Sequence, residues 1–480
     1  MDRKIGAVLF FIRMFSSIGF GIIYSSLTIF LIKNMHMPEP QAVTIVGISI
    51  ALHYALALIN GVLVGRWISY INAIIVGIVL QALSIFVIYK GGPSFFWGCA
   101  IFLVGSLPGS SSINMIITER FQPHDHGRER AFMWNYSAMN LGNIMGYSIA
   151  GYFQLLNNFS KISYVNISLM FIAFILSIVY KSSLGDIYST YAKLNLKNRV
   201  FGFIKFTMIL LVMVVVINQL LIYSVLSSHI IIIVVSIGLA LFLLYSCRGG
   251  NNGGLMFIVL AIAYLLFWSL YFMIPTGLTL FANYSTNSEF LGLLIPPAWL
   301  PNINSFLIIL GAPVLAIIFK KLGKKYHLTA INKFIAGLLY MSAAFLFLII
   351  GILVAKFQIV NLGWLILTYI FLTFSELFIA PVGFALVGKY VGRQHQSIMT
   401  GVWMSMLGLG GLIASELSKI VKISSGHDTF QMNKQFLQLF IILFILTLIF
   451  STCLYLFNSY TNSPRRTRLK FGNRLTAMKP

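Results

Sequence analysis

Acidic side chains are what this chain has least of. Its 480 residues hold ten Asp and Glu against 33 Lys and Arg, and charged residues of every kind make up only 9%. Hydrophobic residues make up 59%, which excludes a soluble globular domain and points to a polytopic membrane protein. Period-two alternation is also missing. The apolar runs are continuous and about twenty residues long, which excludes a membrane β-barrel. Cysteine is scarce: Cys99, Cys247 and Cys453 lie in or beside apolar runs, without metal-ligand spacing or a disulfide framework. No Gly-x-x-x-x-Gly-Lys-Ser/Thr cradle, nucleophile–base set or zinc signature appears, so ATP-driven transport and hydrolysis are poorly supported and no cofactor or metal is implied.

The net charge of +23 is compatible with nucleic acid, but its distribution is not. Lys and Arg collect between alternate apolar segments, the pattern of the positive-inside rule. The lipid bilayer is therefore the expected partner. The first segment carries Arg13 and no small-residue cleavage site, so it reads as a retained span and not a signal peptide.

Fourteen spans are expected, at about 8–32, 42–65, 70–89, 95–118, 131–154, 163–180, 201–223, 228–246, 255–281, 295–319, 334–355, 362–388, 397–418 and 435–458. With the N-terminus inside, the basic segments 119–130, 181–199, 320–333 and 389–396 and the tail from Pro464 all fall on one side. Both termini are then cytoplasmic, and the expected location is the cell inner membrane. The spans group as six, two and six. The expected domains are a six-helix bundle (1–182), a linker with two added helices (183–254), a second six-helix bundle (255–460) and a basic tail (461–480). Two six-helix bundles are the count of a secondary transporter that binds its solute between them. The all-α class follows from the spans.

Within this organisation Glu376 stands out. It lies about fourteen residues into an apolar segment, roughly 20 Å along a helix and so near mid-bilayer. A carboxylate there costs about 2.5–3.5 kcal/mol on insertion scales. The functional reading is an acid facing a watery cavity or proton path. The structural reading is a protonated acid hydrogen-bonded between helices.

The stretch around it, Glu376-Leu-Phe-Ile-Ala-Pro-Val-Gly383 followed by Gly401-Val-Trp403, resembles the tenth-helix "GEL-x-x-SPVG" and eleventh-helix "GxW" of the proton-dependent oligopeptide transporter family, within the major facilitator superfamily. Other stretches resemble the same family in order along the chain. Phe267-Trp-x-x-Tyr271 is similar to its seventh helix, and Ile295-Pro-Pro-Ala-Trp-Leu-Pro-Asn-Ile-Asn304 to the start of its eighth. Tyr136-Ser-Ala-Met-Asn-Leu-Gly142 is similar to the "FYxGINxG" of the fifth. Tyr54 and Asn60-Gly61 with Arg66 are similar to the tyrosine and "GGxLADR" of the second. The resemblance implies the major facilitator fold with two extra central helices, and alternating-access transport of di- or tripeptides.

The departures bear on mechanism. The family's first-helix Glu-x-x-Glu-Arg-Phe aligns with Arg13-Met-Phe-Ser16-Ser17-Ile18, so both glutamates and the arginine are gone. Ser110 stands where the fourth-helix lysine is expected, Phe272 and Met273 where a polar pair is, and Gly65 where the acid of "LADR" is. In the family those first- and fourth-helix charges serve proton coupling and hold the peptide carboxylate, while the tenth-helix glutamate faces the amino end. This chain keeps the acid and loses most of the basic side. A cavity with one fixed carboxylate favours an amine-bearing ligand.

Glu376 is therefore the candidate for the substrate amine and for the coupling proton. It can serve both in exchange, whereas symport needs a partner group. Arg13 is a candidate for a substrate carboxylate, or else a cation reaching the interface. Asn140 and Asn304 match cavity-lining family positions, with interhelical bonding as the structural alternative. Tyr54, Phe20, Trp268, Trp299 and Trp403 are candidates for aromatic pockets, or for packing and interfacial anchoring. His53 reads as a hydrogen-bonded structural histidine, Glu416 as an acid near Lys419 at the surface, and Glu119 as a loop residue. His124 and His126 read as solvated loop residues and not a metal pair. The same fold with amino acids or organic cations as cargo, or a non-transporting membrane sensor, remains open.

Overall fold

The structure, a computed structural model, describes residues 3–121, 126–247, 252–325, 329–390, 396–422 and 428–461. The basic tail, His124, and the side chains of Ser110 and His126 fall outside the description.

The described residues are almost entirely helical. In order the helices are α1 (Arg3–Lys33), α2 (Glu39–Leu63), α3 (Tyr70–Lys90), α4 (Phe95–Arg120), α5 (His126–Leu155), α6 (Ser160–Val179), α7 (Leu196–Ile222), α8 (Ser224–Cys247), α9 (Asn252–Tyr271), α10 (Thr279–Tyr284), α11 (Pro301–Lys325), α12 (Ala330–Val354), α13 (Leu362–Tyr390), α14 (Gln396–Ser418) and α15 (Thr429–Thr461). Among the described residues, eleven spans are long and apolar enough to cross a membrane, with α9 and α10 making one of them. Helices α5, α8 and α14 fill the other three expected places.

Local chemistry sets several boundaries. Ser69, Asn195 and Thr329 cap α3, α7 and α12 by accepting a hydrogen bond from the backbone N–H three residues on. Gly91, at φ 72°, ends α3 in a conformation open to glycine. The ninth span is interrupted. Pro275 has no N–H to donate, and residues Ile274–Leu278 widen into a π turn in which Leu278 N reaches Met273 O at 2.7 Å.

The tenth span starts later than expected, at Pro301 and not 295. Pro296 and Pro297 cannot donate, so the chain first makes a two-stranded hairpin (Glu289–Phe290 with Leu293–Leu294) and a 3₁₀ turn at Pro297–Trp299.

Two hydrophobic cores form. One is built from α1–α7 and the other mainly from α9–α15. The central pair is divided between them: α7 lies on α2 and α4, while α8 reaches α2, α9 and α14. Small residues let the bundles meet closely along α2 and α14. A Cβ on Gly47 would lie 2.9 Å from Gly411 O and 2.6 Å from Ser415 Cβ.

A strap, residues 180–195, ties the ends of α2, α3 and α4 together. Glu119 accepts hydrogen bonds from Ile187 N and Tyr188 N at 2.8 and 3.1 Å, so it is a loop anchor as expected. Arg120 donates to Ser183 O and Gly185 O. Asp186 accepts from Tyr70 N at 2.9 Å, placing a carboxylate at the start of α3 where the adjoining turn has only Gly65.

Candidate functional site

Helices from both bundles line a central cavity. From the first bundle, Phe20 and Tyr24 on α1, Tyr54 on α2, and Tyr136, Asn140, Asn143 and Tyr147 on α5 line it. The α5 residues follow 3–4 spacing, so they share one helix face. From the second bundle come Trp268 and Tyr271 on α9, Phe272 just after it, Asn304 and Ser305 on α11, and Glu376 on α13. The break after Tyr271 leaves these rings at the end of a regular helix, just before the π turn.

Glu376 is 9% exposed and is held by neutral donors. Tyr271 Oη donates to Glu376 Oε2 at 2.7 Å and Asn304 Nδ2 donates to the same oxygen at 2.8 Å. Asn304 Nδ2 also donates to Thr373 Oγ1 at 3.2 Å, and Thr373 lies one turn before Glu376 on α13. Both side-chain bonds to the carboxylate fall on Oε2, leaving Oε1 as a further acceptor.

The surroundings of this acid are mostly aromatic. Trp268 stacks on Phe272 with centroids 5.2 Å apart and meets Tyr271 edge-on at 5.2 Å. Tyr54 lies 6.0 Å from Phe272, and Phe20 stacks on Tyr24 at 5.8 Å. Ring faces favour cations, so walls and carboxylate select in the same direction.

Of the residues singled out from sequence, Glu376, Asn140, Asn304, Tyr54, Phe20 and Trp268 all line this cavity. Asn140 Nδ2 donates to Tyr136 O at 3.0 Å. Three others lie outside the lining. Arg13 sits behind Met139, its Nη2 donating to the Met139 Sδ at 3.0 Å, while its buried Nε has no protein partner. Met139 does line the cavity, so the guanidinium is one side chain removed from it.

Trp299 departs from the expected aromatic pocket. The 3₁₀ turn carries it onto α5, where its Nε1 donates to Ser148 O at 3.0 Å and its ring covers Gly151. Trp403 is 1% exposed and packs on Tyr264, with centroids 4.5 Å apart, inside the second core. The cause is the same in both cases. An indole is large and apolar, and a close-packed glycine or ring elsewhere took it.

Among the other ionisable groups, His53 Nδ1 lies 3.3 Å from Ser106 Oγ, the expected hydrogen-bonded histidine. Glu416 pairs with Lys419 at 2.6 Å.

Tyr271, Tyr24, Tyr147, Asn143 and Thr373 were not singled out from sequence. Tyr271 stood in the Phe267-Trp-x-x-Tyr271 stretch, and Asn143 and Tyr147 lie three and seven residues after Asn140, so helical spacing was the available signal.

The bundles also meet beyond the cavity, on the face opposite the N-terminus of α1. Tyr284 Oη donates to Glu39 Oε1 at 2.9 Å, Ala298 N to Gln154 Oε1 at 3.3 Å, and Thr28 Oγ1 to the Pro275 carbonyl. With Trp299 on Ser148, these contacts join the bundles across that face.

Comparison with known proteins agrees with this architecture. The family model described as "POT family" matches residues 67–437. Dipeptide and tripeptide permease A of Cronobacter turicensis is 24% identical over 432 residues, covering 87% of this chain and 84% of that protein. Peptide transporter YePEPT of Yersinia enterocolitica is 26% identical over 426 residues, covering 84% and 83%. Among solved structures, tetrameric PepTSo2 superposes with a TM-score of 0.82 at 16% identity, covering 95% of this chain and 98% of that one. A POT family transporter in complex with 5-aminolevulinic acid gives 0.79 at 20% identity, covering 94% and 96%. The fold is that of these transporters. This chain, a multi-pass membrane protein, belongs to the proton-dependent oligopeptide transporter (POT) family.

Proposed function

We propose that the protein carries di- or tripeptides, or related small amine-bearing solutes, across the cell membrane by alternating access. The supporting observation is the carboxylate of Glu376, held by Tyr271 and Asn304 at the wall of a cavity between two bundles. Its free oxygen and the aromatic faces around it suit a substrate ammonium. Asn140, Asn304, Tyr54 and Phe20 line the path beside it.

Arg13 serves the substrate carboxylate. Its guanidinium has a thioether, a weak acceptor, where an anion would pair better, and the flexible Met139 can yield that place. Proton and amine exclude one another at Glu376, so this residue couples proton movement to substrate movement. The reading includes no enzymic step. Both termini face the cytoplasm, in keeping with the basic loops, so the face where the bundles are joined is the outer one; it is the closed face in this reading, and the cavity loads or empties inward. The two cores support the division into bundles 1–182 and 255–460, with 183–254 as an inserted pair and 461–480 as a basic tail.

Reconstitution tests this. Purified protein in liposomes should take up labelled alanyl-alanine faster with an outward proton gradient than with an inward one, as exchange at a shared carboxylate requires, and unlabelled dipeptides should compete where free amino acids do not. Glu376→Gln should lower that uptake at least about 10-fold, the loss expected for one charge-assisted contact. Ligand binding without flux in either direction would replace the transporter with a sensor. Competition by amino acids or organic cations alone would change the cargo.

A further inference from the structure

Asn143 has an amide oxygen that no protein group engages. It lines the central cavity, is 7% exposed, and its buried Oδ1 meets no protein donor. The amide oxygens of Asn135, Asn166, Asn218, Asn302 and Asn433 are also buried without a partner, but of these six asparagines only Asn143 lines the central cavity. Asn135 Nδ2 donates to Asn114 Oδ1 at 2.8 Å, and Asn304 grips Glu376 and Thr373. Asn143 joins no neighbouring helix in this way, so the role of interhelical tie is not filled. An unpaired buried acceptor is costly, and a ligand cavity is where such a cost is repaid on binding.

Its mounting is rigid. Gly21 on α1 brings that backbone close enough that a Cβ would lie 2.8 Å from Asn143 O, and Gly142 and Gly146 press α5 onto Met14 O and Ile18 O. The backbone at Asn143 is thus pinned between two glycines, while χ2 of an asparagine turns over a broad range and can bring Oδ1 toward the cavity. Glu376 faces the same space from the other bundle.

We propose that Asn143 contacts substrate, its amide oxygen accepting the peptide N–H of the bound di- or tripeptide while Glu376 holds the ammonium. This rests on the peptide-transport reading above and adds to it the recognition of the peptide unit itself. A free amino acid has an ammonium and no peptide N–H, so Asn143 is a residue through which the cavity prefers peptides. Because the contact joins the first bundle to a ligand anchored on the second, it forms only when substrate spans both.

The test compares alanyl-alanine with the same dipeptide methylated at its peptide nitrogen, in proteoliposomes. Wild type should show a KM for the methylated peptide about 10-fold higher, one hydrogen bond to a buried acceptor. Asn143→Leu, close in volume, should raise KM for alanyl-alanine by about the same factor while moving the methylated peptide less than about twofold, so the discrimination disappears. Asn143→Asp, which keeps an acceptor, should retain the discrimination. Equal handling of the two peptides by wild type overturns the proposal without any variant. An equal change for both peptides in Asn143→Leu assigns the residue to structure and also overturns it. Wild type that carries neither peptide overturns the peptide-transport reading itself, and this inference with it.

Discussion

Asn304 on α11 and Tyr271 on α9 donate to the same oxygen of Glu376, at 2.8 and 2.7 Å, and so act on one charge from two helices. A carboxylate held this way is fixed in direction before any ligand arrives. Tyr271→Phe and Asn304→Leu should each raise KM for alanyl-alanine about 10-fold, the scale of a hydrogen bond to a charged group. The double variant should fall well short of the 100-fold product, because either change alone frees the same oxygen. A des-amino analogue should be insensitive to all three variants. KM values multiplying independently, or a des-amino analogue affected equally, would separate the two donors from the amine site.

How much of this was legible beforehand differs by residue. Glu376 was readable because an acid in mid-span is rare for a stated energetic reason. The spans themselves followed from bilayer thickness, which sets a length any apolar run must meet. Asn304 and Tyr54 came from resemblance. Tyr271 was in view within its aromatic stretch, but a phenol's partner is fixed by tertiary structure, and Glu376 lies over one hundred residues away. Trp299 was misplaced because its two prolines announce a non-helical turn without saying which helix will cover the indole. Asp186 had no local signal at all: the backbone N–H it accepts from is at Tyr70, across the whole first bundle in sequence.

Trp299 now reads as a latch on the closed face. Its ring lies on Gly151, its Nε1 bonds Ser148 O at 3.0 Å, and the neighbouring Ala298 N bonds Gln154. Truncation to Ala gives up a half-buried aromatic contact and a hydrogen bond together, about 2 kcal/mol from aromatic and polar terms. The outer-open population should rise at least about 10-fold. A cysteine at position 298, buried in the closed state and keeping the backbone N–H that bonds Gln154, reports this in a background free of the native cysteines. Its labelling by an impermeant maleimide should accelerate in Trp299→Ala by at least that factor. An unchanged rate would return Trp299 to plain packing.

The strap at 180–195 makes a prediction about pH. Asp186 accepts Tyr70 N and Ser189 Oγ, at 2.9 and 2.6 Å, outside the membrane-spanning helices. Burial pushes its carboxyl above the ordinary aspartate value of 3.8, and the hydrogen bonds from Ser189 and Tyr70 only partly offset this; Glu119 nearby pushes it further up and Arg120 pulls it back. A carboxyl raised in the folded state binds its proton more tightly there than in the unfolded chain. Its contribution to stability is therefore fully present below 3.8 and is lost as pH rises through the raised folded value. Asp186→Asn keeps an oxygen for Tyr70 N and cannot ionise. The melting temperature of the variant should gain on wild type as pH increases across that window and then run parallel to it toward neutrality. Melting curves of the two proteins in detergent, at steps of pH from about 3.5 to 7.5, measure the difference. A gap that stays constant over the whole range would mean that Asp186 holds α3 as a hydrogen-bond acceptor alone, with its charge playing no part.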